Sequence, residues 1–197
     1  MLLSDRDIKR ELERGELDIS GITEDAIQPA SVDVRLDNKF LVFNTRNYTY
    51  IDPSEDRMTL TDEVEVHSWE TFIINSGEFI LASTKEAVSL GASLAGRIEG
   101  KSSLGRLGLI IHSTAGFIDP GFTGQLTLEL SNVSAFPILL RPSMKIAQLC
   151  FFRLSSPVEK PYGNDSLWSK YQNQQGPTRS ASWMNFYKDE FGHVHSR

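Results

Sequence analysis

The chain has 197 residues, a formal net charge of -6 and 40% hydrophobic residues, enough for one hydrophobic core of ordinary domain size. Its acidic balance argues against a broad nucleic-acid surface, which needs clustered Lys and Arg to displace counterions from phosphate, and no apolar run approaches the roughly 20 residues of a membrane span. Met1-Leu2-Leu3 leads straight into charged Ser4-Asp5-Arg6-Asp7-Ile8-Lys9-Arg10 rather than into a signal peptide, so a cytoplasmic protein is expected.

In chain order, the first element is a short amphipathic helix with Ser4 as N-cap, Asp7 at the capping-box position, Ile8 and Leu12 on one face and Gly15 as the stop. Helical periodicity then fades. Short runs with alternating or β-branched character follow at 31–36, 40–43, 48–51, 63–66, 71–74, 79–82, 94–98, 126–130 and 146–154. Turn residues such as Asp52-Pro53, Ser76-Gly77, Asp119-Pro120-Gly121 and Arg141-Pro142 separate them. Many short strands at this spacing predict a mainly β sandwich or barrel, with little helix beyond the N-terminus and one short turn near 102–107. The single cysteine, Cys150, lies in an apolar run and reads as a buried, inert thiol. From about Pro157 the texture changes to Pro, Gly, Ser, Asn and Gln, which cannot fold alone; it is either a disordered tail or an arm that orders over a ligand or a neighbouring subunit.

Two segments carry chemistry. Lys101-Ser102-Ser103-Leu104-Gly105-Arg106 follows a predicted strand and combines small residues, hydroxyls and two cations, so backbone N–H groups and the cations can cradle an anion. It is not a Walker sequence, and an ordinary capped turn with solvated cations is the other reading. In Gly124-Gln125-Leu126-Thr127-Leu128-Glu129-Leu130-Ser131, alternation puts the leucines on one face and Gln125, Thr127, Glu129 and Ser131 on the other. Glu129 is then either a solvated strand residue or, if that face lines a pocket, a group suited to moving protons. His112 begins the loop joining the segments and, alone, reads as a hydrogen-bonded core histidine. His193 and His195 read as part of a frayed terminus rather than a metal site.

These segments, with Thr114-Ala115-Gly116-Phe117-Ile118-Asp119-Pro120-Gly121, the opening Leu3 to Ile8, Gln28 to Leu36, Arg141 to Ile146 and Lys170-Tyr171-Gln172-Asn173-Gln174, closely resemble the dCTP deaminase family over residues 1–186. The resemblance implies a distorted β-barrel of the dUTPase-like, β-clip type: one domain over 1–186, with 157–186 as a closing C-terminal arm and 187–197 as a disordered tail. It implies a homotrimer with sites between subunits and a deamination that uses no zinc, in accord with the absence of the paired Cys-x-x-Cys that zinc nucleobase deaminases require. Glu129 would shuttle protons between water, N3 and the departing amine. Ser102 and backbone near Ala115 would hold the water, and Arg106 would hold the ring and orient Glu129. Lys101, Ser102, Ser103, Leu104, Gly105 and Arg106, with Gln148, Tyr162, Lys170 and Gln174, would bind the triphosphate; Asp119, Thr127, Leu128 and Glu129 would face sugar and base. Mg2+ would be bound mainly through substrate phosphates, and dTTP would be a feedback inhibitor.

Gly116-Phe117 stands where single-activity deaminases, which release dUTP, carry a His-Arg pair. The Gly-Phe form resembles the bifunctional branch that converts dCTP to dUMP, diphosphate and ammonia and so supplies dUMP for thymidylate synthesis. A glycine there is expected to leave room for a second water near the α-phosphate. Asp33 and Asp119 are carboxylates open to activating that water, a buried structural carboxylate being the other reading of Asp33. A monofunctional deaminase, a dUTPase without deaminase activity and a non-catalytic nucleotide-binding trimer are the alternatives; Glu129 disfavours the dUTPase, because phosphate cleavage needs no carboxylate aimed at the base.

Overall fold

Ser4 and Gly15 bound the first element in the computed structural model, which describes residues 1–186. Ser4 Oγ accepts the Asp7 N–H at 3.4 Å, and Gly15 takes the left-handed conformation (φ 71°) that turns its N–H back on the helix carbonyls. Between them runs α1 (Asp5–Arg14), anchored by the fully buried Ile8. Glu11 on the same helix is buried and pairs with Arg153 at 2.5 Å, tying α1 to the last strand.

The rest is mainly strand: β1 (Leu17–Ile19), β2 (Ile27–Gln28), β3 (Ser31–Phe43), β4 (Thr61–Glu65), β5 (Phe72–Ile74), β6 (Phe79–Leu90), β7 (Leu94–Gly100), β8 (Leu109–Ile110), β9 (Phe117–Ile118), β10 (Thr123–Asn132), β11 (Ile138–Leu140) and β12 (Lys145–Arg153). Among the described residues the other α-helix is the one-turn α2 (Ser102–Gly105), placed between β7 and β8. Ten strands form one sheet in the order β8-β10-β6-β3-β12-β7-β9, with β1 on β6 and β2 and β4 on β3, while β5 and β11 pair separately. The long strand β3 belongs to both halves: its first part pairs with β2 and β12, its second with β4 and β6. A register shift between Leu36 and Phe40 marks the change of partner, and the sheet curls there around Val34, Leu36, Phe40, Leu128, Leu130, Leu149 and Phe151, all buried. This is the mainly β, barrel-like architecture that the spacing and the resemblance predict.

The differences are local. The runs at 31–36 and 40–43 are one strand. Residues 48–51 are not a strand: Tyr48 and Tyr50 instead flank the Arg57 guanidinium, 5.1 and 4.8 Å from the ring centroids. β6 extends past 82 through polar Ser83-Thr84-Lys85-Glu86, because buried Glu86 accepts from both Arg35 N (2.8 Å) and Arg35 Nε (2.6 Å) across the sheet. Cys150 is half-buried on the outward face of β12 rather than fully enclosed. After β12 the chain crosses back over β10 without forming a helix or strand until a 3-10 turn at Ser182–Asn185. The expected disordered tail, 187–197, including His193 and His195, lies outside the described residues.

Candidate active site

The cationic turn forms where β7 runs out of partners. Gly100 still pairs with Ala147 of β12; Lys101 is extended and caps α2. Lys101, Ser102, Ser103 and Gly105, with Gln148 from β12 and His112, line a cavity of about 420 Å³. Leu104 turns inward and packs on the core. Arg106 ends α2 with an exposed guanidinium that lines neither this cavity nor the next and has no ion pair among the described residues. Lys101 is committed: its Nζ lies 2.5 Å from Oδ1 of the buried Asp33.

The second cavity, about 440 Å³, opens on the polar face of β10. Burial alternates residue by residue along that strand, with Leu126, Leu128 and Leu130 inward and Thr127 and Glu129 half-exposed toward the cavity. Leu128 is fully buried, which leaves its backbone as the part able to meet a ligand. Glu129 Oε2 accepts the Ser113 N–H at 3.0 Å, while Oε1 has no hydrogen bond among the described residues. One carboxylate oxygen is thus fixed by backbone on a residue that lines the cavity. Ala115, Gly116, Phe117 and Asp119 supply the rim between the two segments.

The far wall comes from 162–180. Tyr162 and Gln174 both line the cavity, as do Tyr171, Thr178 and Ser180. Tyr162 stacks obliquely on Phe122 (5.8 Å) and accepts the Tyr171 N–H at 3.0 Å; burial pushes its phenol pKa up. Gly124 is where this segment comes closest: a Cβ there would stand 2.9 Å from both N and O of Gln174, so only a glycine admits the contact. Lys170 is directed elsewhere, donating to Asn185 Oδ1 at 2.6 Å, and does not line the cavity.

Gly116 has a packing reason for being glycine. A Cβ would stand 2.9 Å from the Ile98 carbonyl oxygen and 3.6 Å from the His112 ring, because Gly116 O accepts the Ile98 N–H at 2.8 Å and brings the two backbones together. The close backbone approach is thus a reason for glycine here besides any space its missing side chain leaves for a water. Phe117, paired opposite Arg97 on β7, is 60% exposed and does face the cavity.

The structure thus sorts the expected residues into two groups on one chain. Lys101, Ser102, Ser103, Gly105 and Gln148 lie together; Gly116, Phe117, Asp119, Thr127, Glu129, Tyr162 and Gln174 lie together. His112 is a wall of both, and both its ring nitrogens are buried without a hydrogen-bond partner, so it is not the satisfied core histidine expected. Sequence reasoning also missed Tyr171, Thr178 and Ser180; Tyr171 adjoins a residue that was singled out, but neither threonine nor serine carried a signal. Among the described residues no group of three or more His, Cys, Asp or Glu side chains is placed to hold a metal ion.

A hydroxyl-rich cationic turn and a carboxylate-bearing cavity thus stand on one curled, mainly antiparallel sheet. The sequence model of the family described as dCTP deaminase-like matches residues 2–154, and the chain belongs to that family. It is 59% identical over 187 residues to a protein of Salinispora arenicola named "dCTP deaminase, dUMP-forming", covering 95% of this chain and 97% of that one. A protein of the same name from Mycolicibacterium vanbaalenii is 57% identical over 190 residues, covering 96% and 100%. Among solved structures, the 2'-deoxycytidine 5'-triphosphate deaminase from Agrobacterium tumefaciens superposes with a TM-score of 0.60 at 25% identity over 76% of this chain; the match spans about half, 47%, of that longer chain.

Proposed function

We propose that this chain is a bifunctional, dUMP-forming dCTP deaminase, a hydrolase that removes the C4 amine of dCTP and cleaves between the α and β phosphates to give dUMP, diphosphate and ammonia. The observation that carries the reading is Glu129: its Oε2 is held by Ser113 N–H, and the residue lines a cavity shared with Thr127, Asp119, Tyr162 and Gln174. Such a carboxylate can take a proton from water as its oxygen attacks C4, pass it to N3, then take the proton of the new C4 hydroxyl and deliver it to the amine as the C4–N bond breaks and the carbonyl forms. The shared name of two relatives above 55% identity supports the substrate and the product.

The triphosphate belongs at the turn formed by Lys101, Ser102, Ser103 and Gly105, with Gln148 beside it. Arg106 is exposed and lines neither cavity of its own chain. A neighbouring copy that brings its turn, with Ser102 and Arg106, over the Glu129 cavity completes the constellation, which supports a homotrimer with shared sites. Magnesium fits this site through the substrate, because the carboxylate beside the cradle, Asp33, is already paired with Lys101 and Lys145. When bound it screens phosphate charge. A cytoplasmic enzyme, inhibited by dTTP through the same triphosphate cradle, completes the proposal.

Two measurements test it. Glu129→Gln is expected to lower ammonia release from dCTP by on the order of 10²–10⁴-fold while nucleotide binding stays measurable; unchanged release removes Glu129 from the reaction. Chromatography of products from dCTP and magnesium is expected to show dUMP and diphosphate without accumulating dUTP. Stoichiometric dUTP would make the enzyme a single-activity deaminase, an outcome that Gly116, with its packing role, does not by itself forbid.

A further inference from the structure

Asp33 stands on the outer face of β3, directly opposite Gln148 of β12, with a side chain only 5% exposed. Two ammonium groups meet it: Lys101 Nζ at 2.5 Å from Oδ1 and Lys145 Nζ at 3.4 Å from Oδ2. A regular strand would not bring Lys145 there. Along β12, Ala147, Leu149 and Phe151 are buried and Gln148 faces outward, so strict alternation would give Lys145 the inward side of Ala147. The register shift between Lys145 and Ala147 leaves Ile146 and Ala147 both buried and turns Lys145 outward, onto the side of Gln148 and Asp33. Asp25, 3.3 Å from the same ammonium, holds it in place and keeps its pKa above the usual lysine value, so it stays charged.

Lys101 therefore faces two competing anions, the buried carboxylate and an incoming triphosphate. Drawn fully to phosphate, it would leave Asp33 unneutralised in a poorly hydrated position, which is a large penalty on binding. We infer that Lys145 is a positioning residue for phosphate binding: it holds Asp33 while Lys101 turns to the triphosphate, so that the exchange strands no buried charge. The inference rests on the proposed role of Lys101 as a phosphate ligand.

The test is steady-state ammonia release from dCTP by the full chain with magnesium. Lys145→Met should raise KM about tenfold and leave kcat within about twofold, since it acts on binding through a partly buried pair. Lys145→Arg, which keeps the charge, should restore KM. In an Asp33→Asn background no carboxylate needs a partner, so adding Lys145→Met should change KM no further; that pair of variants also carries the test if Lys145→Met alone folds poorly. An unchanged KM in Lys145→Met, failure of Lys145→Arg to rescue, or the same KM increase in the Asp33→Asn background would each overturn the inference. Lys101→Met separates the two levels: if it leaves KM unchanged, the phosphate cradle itself is wrong, whereas a raised KM there beside a normal one in Lys145→Met removes the lysine exchange alone.

Discussion

The two cavities differ in what holds their walls. The cradle is made from strand ends fixed by ladder pairing: Gly100 lies against Ala147, and Gln148 lies between Glu99 and Asp33. The Glu129 cavity has strand walls from β10, β9 and their sheet neighbours, and a far wall made by 162–180, which forms no helix or strand. That far wall is pinned by separate bonds: Asn173 N to Thr123 O (2.7 Å), Gln125 N to Gln174 O (3.0 Å), Gly176 N to Gln125 Oε1 (2.5 Å) and Thr178 N to Thr127 Oγ1 (3.1 Å). Farther on, Ser182 Oγ donates to Pro53 O at 2.8 Å and Arg179 donates to Met58 O, fastening the segment to the 44–60 loop. The cradle's walls are thus built into the sheet, while one wall of the space beside Glu129 depends on the strap.

The contrast can be broken at Gly124. Gly124→Ala places a methyl 2.9 Å from the Gln174 backbone and should lift the strap, lowering kcat/KM for ammonia release by on the order of 10²-fold. Limited proteolysis should then cut within 157–186, and an unchanged kcat/KM would show that the far wall is dispensable. A smaller effect is expected where the strap is held by one ring. Tyr162→Phe keeps the contact with Phe122 but loses the acceptor for Tyr171 N–H, costing about 1 kcal/mol of stability near neutral pH. Because burial raises the phenol pKa, the folded chain keeps that proton more tightly than the unfolded one. The stability linked to that burial-held proton is intact below the ordinary value of 10.0 and lost as pH rises through the folded value, so thermal melts of Tyr162→Phe should show less alkaline decline than wild type. Smallest of all is a change on the cradle's side of the sheet: Cys150→Ala on the outward face of β12 should alter stability by no more than about 0.5 kcal/mol. Burial pushes the Cys150 thiol up, so wild type should react more slowly with iodoacetamide than free cysteine at neutral pH.

What could be read in the sequence was local. Ser4 and Gly15 announce α1 through their own side-chain and backbone preferences, and the leucine alternation of β10 places Glu129 opposite Leu128 without any knowledge of partners. The grouping of Lys101 with Ser102 and Ser103 is likewise a matter of adjacency. What escaped depends on distant pairing. Nothing in Thr84-Lys85-Glu86 reveals a strand until Arg35 arrives from another part of the chain to neutralise Glu86. The alternation of Tyr48 and Tyr50 imitates a strand but serves Arg57. The outward turn of Lys145 follows from a register shift that exists only between two strands, and the role of His112 as a common wall follows from the loop geometry around it.

The strand shared by both halves of the sheet also dictates how the chain must be made. The second part of Ser31–Phe43 meets β4 and β6 within about fifty residues, but its first part waits for Lys145–Arg153, roughly a hundred residues later. Nascent chains therefore carry one open edge on that strand until β12 emerges, and products that stop short of Lys145 should be aggregation-prone and good substrates for chaperones and proteases.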